Sequence, residues 1–364
     1  MSSQDVPAYS YQPLARSTSI RILVLKPSLS FEDPLEAKLM HADRSIDDEP
    51  TSDKEMRNIF SDLRYEAVSY CWGKADFTHT LICDGKWLGI TANVNSMLRH
   101  LRKPSKPRHL WVDALCLNQT DMQEKAVQVQ LMGDIYKQAH KVQIWLGEND
   151  EDDYILEVYG LLKALAVTSN AVFLTQRREE MRNLFKKAME PAFDRFVARP
   201  WFSRKWILQE VYHGKSITIR CGRTKIPWFW VRDGICAIEE IMRRVGGSFL
   251  TSHTKTMRHI WGLQKLSSQP SSIMDLLYEF SGTECSDQRD RLYALFNMAI
   301  DMSVEDISVY DSVICAYGSS RVNKKIYFPV NYSNHWVDVY TDFARACLSP
   351  GRELNFLQHM VMFG

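Results

Sequence analysis

"HLWVDALCLNQTDMQEKAVQVQLMGDIYKQAHKVQIWLGE", His109 to Glu148, reads as strand, helix, strand. His109–Leu117 is an apolar run of strand length, broken only by Asp113. Thr120 with Gln123, or Asp121 with Glu124, then offers a capping box, in which a side-chain oxygen satisfies N–H groups that the first helical turn leaves free. Val127, Leu131, Ile135 and Ala139 follow at steps of four, with Lys125, Gln128 and Lys137 off that line, which predicts one apolar helix face. Val142, Ile144 and Leu146 then alternate with Gln143 and Trp145, the period of a strand. Strands joined through a helix are expected to be parallel, with a right-handed crossover.

Working outward, Ile20–Leu25 is a β-rich run stopped by Pro27, and Leu35–His41 is a second strand candidate. Asp43–Lys54 is polar and acidic and reads as a surface loop. Tyr65–Gly73, "YEAVSYCWG", is a strand that breaks at a glycine, and Asp84-Gly85 between two apolar arms signals a hairpin. A helix is expected from Thr91, with Val94, Met97, Leu98 and Leu101 at helical spacing. Open parallel sheets carry their chemistry outside the carboxyl ends of the strands. That rule puts Tyr70–Lys74, Asp113–Asn118 and Gly147–Asp150 on the expected functional rim. Acids at Asp150–Asp153 suit a helix start, and helical sequence continues to about Val197. "SITIRCG", Ser216–Gly222, is a further strand. Helices are then expected over Trp228–Val245, Lys255–Leu266, Ile273–Phe280, Asp290–Ala299 and Trp336–Leu348.

The bulk numbers narrow the functional classes. The 364 residues are 45% hydrophobic and 24% charged, which is globular composition. A formal charge of +1 argues against a nucleic-acid module, which needs a basic excess. The eight cysteines form no CxxC pair or zinc-like spacing, so reduced thiols and no metal site are expected. No apolar run is long enough to span a bilayer and the N-terminus lacks a signal-peptide core, so a cytoplasmic location is expected.

"YEAVSYCWG", the His109–Glu148 block and "RPWFSRKWILQEV" (Arg199–Val211) closely resemble the three ordered blocks of the fungal heterokaryon incompatibility (HET) domain. "YQPL" and "IRILVLKP" upstream, and "CSDQRDRLYALF" and "FPVNYSNHWVDVYTDFA" downstream, agree with it. One departure is Asn331, where such proteins often carry aspartate. The resemblance implies a cell-death or non-self recognition protein of a filamentous fungus, with an incompatibility partner protein. A second resemblance is to Toll/interleukin-receptor (TIR) domains, whose strand and helix order is similar. Ser203, Trp206 and Glu210 fall at the spacing of a TIR block whose glutamate is catalytic in the members that cleave NAD.

The expected architecture is therefore a flexible tail over residues 1–19, then an α/β domain over 20–222, then a mainly helical extension over 223–364. Its sheet is expected to be mostly parallel and TIR-like (flavodoxin-like), flanked by helices. The expected substrate is NAD or a related nucleotide, cleaved at the nicotinamide–ribose bond with no cofactor, and the active form is expected to be a homo-oligomer. Glu210 is the expected catalytic residue, because expelling a pyridinium needs no proton and asks mainly for negative charge near the oxocarbenium. Ser69, Tyr70, Trp72, Gly73, Asp113 and Trp206 are the expected substrate-binding residues.

Each has a plainer reading. Glu210 could pair with Arg199, Arg204 or Lys205 on a solvated face. Trp72 could be core, and Gly73 an ordinary strand end. Ser69 and Tyr70 alternate faces, so only one can point to the site. Asp113 could bond loop amides or an arginine. Trp206 could serve packing, sharing a helix face with Glu210. Two functional alternatives stand beside hydrolysis. One is a non-enzymatic adaptor acting by self-association. The other is a hydrolase using Cys116, which would need His109, His140 or His213 within reach.

Overall fold

A computed structural model describes residues 7–43, 64–149, 154–168, 190–245, 271–303 and 325–348. The acidic loop after Asp43, the acids Asp150–Asp153 and the expected helix Lys255–Leu266 lie outside the described residues. The main sheet has nine strands: β1 Ser19–Leu25, β2 Glu36–Asp43, β3 Glu66–Tyr70, β4 His79–Cys83, β5 Lys86–Ile90, β6 Arg108–Trp111, β7 Lys141–Trp145, β8 Ile217–Cys221 and β9 Thr224–Pro227. Their order is β5-β4-β2-β1-β6-β3-β7-β8-β9.

The sheet is mixed, which overturns the expectation of a mostly parallel, TIR-like (flavodoxin-like) sheet. β6, β3, β7 and β8 are parallel neighbours, and β2 pairs parallel with β4. β1 runs antiparallel to both its neighbours, and the edge hairpins β4–β5 and β8–β9 are antiparallel. At the two edges the reason is connection length. Short turns force antiparallel pairing, and only strands separated by a crossover can run the same way. Asp84 and Gly85, at φ 51° and 75°, form such a turn between β4 and β5, and Gly222 at φ 52° turns β8 into β9.

The strand–helix–strand unit is present, and its two strands are parallel as expected, but β3 lies between β6 and β7. Asp121 caps the helix Met122–Gln138, accepting from the Gln123 and Glu124 amides. That helix buries Val129, Met132, Gly133, Ile135 and Tyr136, with Val127 and Leu131 at the margin. β7 does not alternate, because a central strand is covered on both faces: Val142, Gln143, Ile144 and Trp145 are all buried. Its polar residue is satisfied in a row across four strands. Arg108 on β6 forks onto Glu66 on β3 at 3.0 and 2.6 Å. Gln143 donates to the same carboxylate and accepts from Arg220 on β8 at 2.9 Å.

Helices Tyr154–Thr168 and Trp228–Val245 pack closely, with Gly234 against the Leu162 backbone. The later helices Ile273–Glu279, Asp290–Phe296 and Trp336–Cys347 fall where the sequence places them. Among the described residues, no helix is long and apolar enough to cross a membrane.

Candidate functional site

β3 ends at Tyr70, and the chain turns away through Cys71, Trp72 and Gly73, the last at φ 71°. A Cβ there would meet nothing within 4 Å, so the left-handed backbone, rather than crowding, favours glycine. β6, Arg108–Trp111, ends well before the apolar run His109–Leu117 does. It stops at Trp111, and Asp113–Cys116 form one helical turn. Asp113 therefore stands at a strand end rather than within a strand. Its Oδ1 accepts from the Ala114 amide at 2.7 Å, and its Oδ2 accepts from the Trp72 indole N–H at 2.8 Å. Two adjacent parallel strands thus deliver a joined indole and carboxylate to one sheet edge.

A cleft of about 600 Å³ opens at that edge. The sheet rim contributes Trp72, Gly73 and Asp113, the Arg199–Val211 stretch contributes Ser203, Arg204 and Trp206, and the C-terminal extension contributes Glu284–Asp287, Asp290 and Tyr332. The extension is laid along the site by main-chain bonds. Lys205 N donates to the Glu284 carbonyl and Glu284 N to the Ser203 carbonyl, both at 2.7 Å. Trp206, which precedes the helix Ile207–His213, donates its indole N–H to Asp290 at 2.9 Å. The Tyr332 hydroxyl donates to the other Asp290 oxygen at 2.7 Å.

Glu210 does not line this cleft. It is 1% exposed and lies behind Arg204. Its Oε2 accepts from the Ser69 hydroxyl, whose oxygen accepts from the Trp201 indole at 2.7 Å. Arg204 Nη1 stands 3.9 Å from Glu210 Oε1 and also donates to the Tyr70 carbonyl. Burial pushes the Glu210 carboxyl up to about 7, with Arg204 and Ser69 pulling against it and Asp113 adding to the rise. Burial raises Asp113 as well, against the pull of Arg204 and the Trp72 N–H. Burial opposes the Arg204 charge, but Glu210 and Asp113 outweigh it. One guanidinium is thus the shared counter-charge of two carboxyls, one at the cleft and one behind it.

Of the expected site residues, Trp72, Gly73, Asp113 and Trp206 line the cleft, while Ser69, Tyr70 and Glu210 sit behind it. Tyr70 is 1% exposed. Gly147–Asn149 lies apart, around Arg199, whose guanidinium donates to the Leu146 and Glu148 carbonyls. The picture of a solvated basic face on the Arg199–Val211 stretch is corrected. Lys205 is buried and donates to the Phe280 carbonyl at 2.9 Å, and burial lowers its ammonium to about 8. Cys116 is fully buried, its thiol pushed up to about 12 by burial. Its Sγ meets the Val112 amide and Leu110 carbonyl, the surroundings of a core thiol.

Sequence reasoning missed Asp290 and Tyr332. Asp287, Arg289, Asp290 and Arg291 read as a helix start with local ion pairs, and the Asp287–Arg289 pair is there at 2.7 Å. An acid in a first helical turn is commonplace, so nothing local marked Asp290 as the partner of Trp206. The Asn331 departure has a simple account. Its side-chain oxygen accepts from the Ser333 amide at 2.7 Å, as an aspartate oxygen would. Among the described residues, no three His, Cys, Asp or Glu side chains are grouped to hold a metal ion.

Residues 65–210 match the family described as Heterokaryon incompatibility protein (HET). The chain is 31% identical over 357 residues to Heterokaryon incompatibility protein 6, OR allele, of Neurospora crassa, a match covering 80% of this chain and 49% of that protein. It thus spans about half the length of that relative. No solved structure matches it. The matched block begins at the residue before β3 and ends on Glu210, so it contains the sheet rim, Asp113, Arg204 and the buried carboxyl. The chain is a heterokaryon incompatibility (HET) domain protein.

Proposed function

We propose that this chain is a cell-death effector of heterokaryon incompatibility whose cleft hydrolyses NAD, or a related nucleotide, at the nicotinamide–ribose bond. The observation that carries this reading is the Asp113–Arg204–Glu210 arrangement beside a cleft of about 600 Å³, a volume that suits a small-molecule ligand. In the reaction the C1′–N bond breaks and its electron pair neutralises the pyridinium, so the leaving group needs no proton. Water then bonds to C1′ and releases one proton. Negative charge near the oxocarbenium lowers the barrier, and Glu210 supplies it once the Arg204 side chain turns aside. A monomer with Arg204 in place is latent, and self-association with an incompatibility partner or another copy moves it.

The test is purified protein incubated with NAD at concentrations that drive its self-association, because the monomer is latent. Nicotinamide release is expected, lost in Glu210→Gln and strongly reduced in Asp113→Asn. Because the charge of Glu210 is needed, the rate is expected to rise with pH through about 7 and beyond, since Arg204, which lowers this carboxyl, is turned aside in the active form. A Glu210→Gln protein that releases nicotinamide at the parent rate sinks the reading.

A second reading has its own observation. Glu210 is 1% exposed and lies off the cleft, as befits a structural ion pair in a non-enzymatic adaptor that works by self-association. Undiminished cell killing by Glu210→Gln, with no NAD loss in either protein, selects it.

A further inference from the structure

We propose that the cleft is selective for a flat aromatic cation, of the pyridinium class, and that Trp72 is the side chain that recognises it. The inference deepens the nucleotide reading, resting on the cleft as a ligand site but not on turnover.

Two indoles line the cleft, and each is tied by its N–H to a carboxylate. Trp72 is held by Asp113 and Trp206 by Asp290. Such a bond leaves the ring face free while fixing its edge, and a carboxylate at the N–H makes the indole face more electron-rich. Trp72 is 38% exposed although it follows a strand of wholly buried residues, so a planar guest can reach its face without displacing the core. A cation over an indole face is attracted by the ring quadrupole, most strongly when water is excluded.

The charge of the lining points the same way. Asp113, Glu284, Asp287 and Asp290 face it against Arg204 and Lys125, and with Asp287 paired to Arg289 three carboxyls still stand against two cations. Each cation is engaged: Arg204 stands by Glu210 and the Tyr70 carbonyl, and Lys125 lies 4.5 Å over the Tyr332 ring. An anionic guest therefore meets more carboxylates than free cations, while a cationic ring gains from both walls. The diphosphate of a dinucleotide is better placed at the mouth than within the cleft.

The probes are 1-methylnicotinamide, methylated on the ring nitrogen and therefore cationic, and nicotinamide, which has the same ring without the charge. Saturation-transfer NMR titration of the whole chain should show the cation bound about tenfold or more tighter than the neutral ring, a ratio within the range of a desolvated cation–indole contact. Trp72→Phe should keep part of that preference and Trp72→Leu should abolish it. Trp72 sits at the rim, and a circular-dichroism melt at the parent temperature verifies that each variant is folded. Equal binding of the two probes, no binding of either, or a preference untouched in Trp72→Leu overturns the proposal. Selective cation binding without NAD cleavage keeps this inference and removes hydrolysis. NAD cleavage without cation selectivity does the reverse.

Discussion

Glu210 is where the electrostatics of single residues matter most. Its carboxyl is pushed from 4.5 to about 7 by burial, so in the folded chain it holds a proton that the unfolded chain has released. The unfolded state therefore binds fewer protons between about pH 4.5 and 7, and stability falls as pH rises through that window. The stabilisation is fully present below the unfolded value and gone above the folded one, a change of about 3 kcal/mol. Glu210→Gln cannot ionise, so its melting temperature relative to the parent is expected to climb between pH 5 and pH 8. A constant difference across that range would show that the carboxyl titrates normally.

At the scale of elements, close approach rather than charge sets the limits. Trp228–Val245 lies on Tyr154–Thr168 so tightly that a Cβ at Gly234 would come within 2.6 Å of the Leu162 carbonyl oxygen and 2.8 Å of its Cα. These are backbone atoms, which cannot rotate away. Gly234→Ala is therefore expected to destabilise by about 1–3 kcal/mol despite its better helix propensity, read from urea unfolding. Gly160→Ala, on the partner helix with nothing near its Cβ, serves as the control. The elements were largely legible in the sequence. Thr91, Asp121 and the Asp84-Gly85 turn act where their chemistry predicts, because capping and left-handed turns are local events. The length of β6 was not legible, since the apolar character of Val112–Leu117 is shared by a strand and by a buried helical turn.

For the whole molecule, the polar row Arg108–Glu66–Gln143–Arg220 ties the parallel centre together. Burial alone would raise Glu66, but the Arg108 fork and the Gln143 amide outweigh it and hold the carboxyl below its ordinary value. That contribution is present above the unfolded value and is lost as pH falls through the lower, folded one. Glu66→Ala leaves Arg108 buried without its partner and is expected to cost about 3–5 kcal/mol, measured by chemical denaturation at neutral pH. The extension also belongs to the working unit, because Asp290 and Tyr332 fix Trp206 and with it the start of the Glu210 helix.

The sequence by itself determined most of the strands, the caps and turns, the HET blocks, and the place of Trp72, Gly73 and Asp113 at strand ends. Periodicity, turn chemistry and the strand-end rule act over a few residues, so they survive without a fold. Only the tertiary structure decided that the sheet is mixed, that Lys205 is buried, and that Glu210 stands behind Arg204. Ser69 and Glu210 are 141 residues apart, and Trp206 and Asp290 are 84. Strand direction, burial and proton affinity depend on such distant neighbours, and no local pattern encodes which of them will meet.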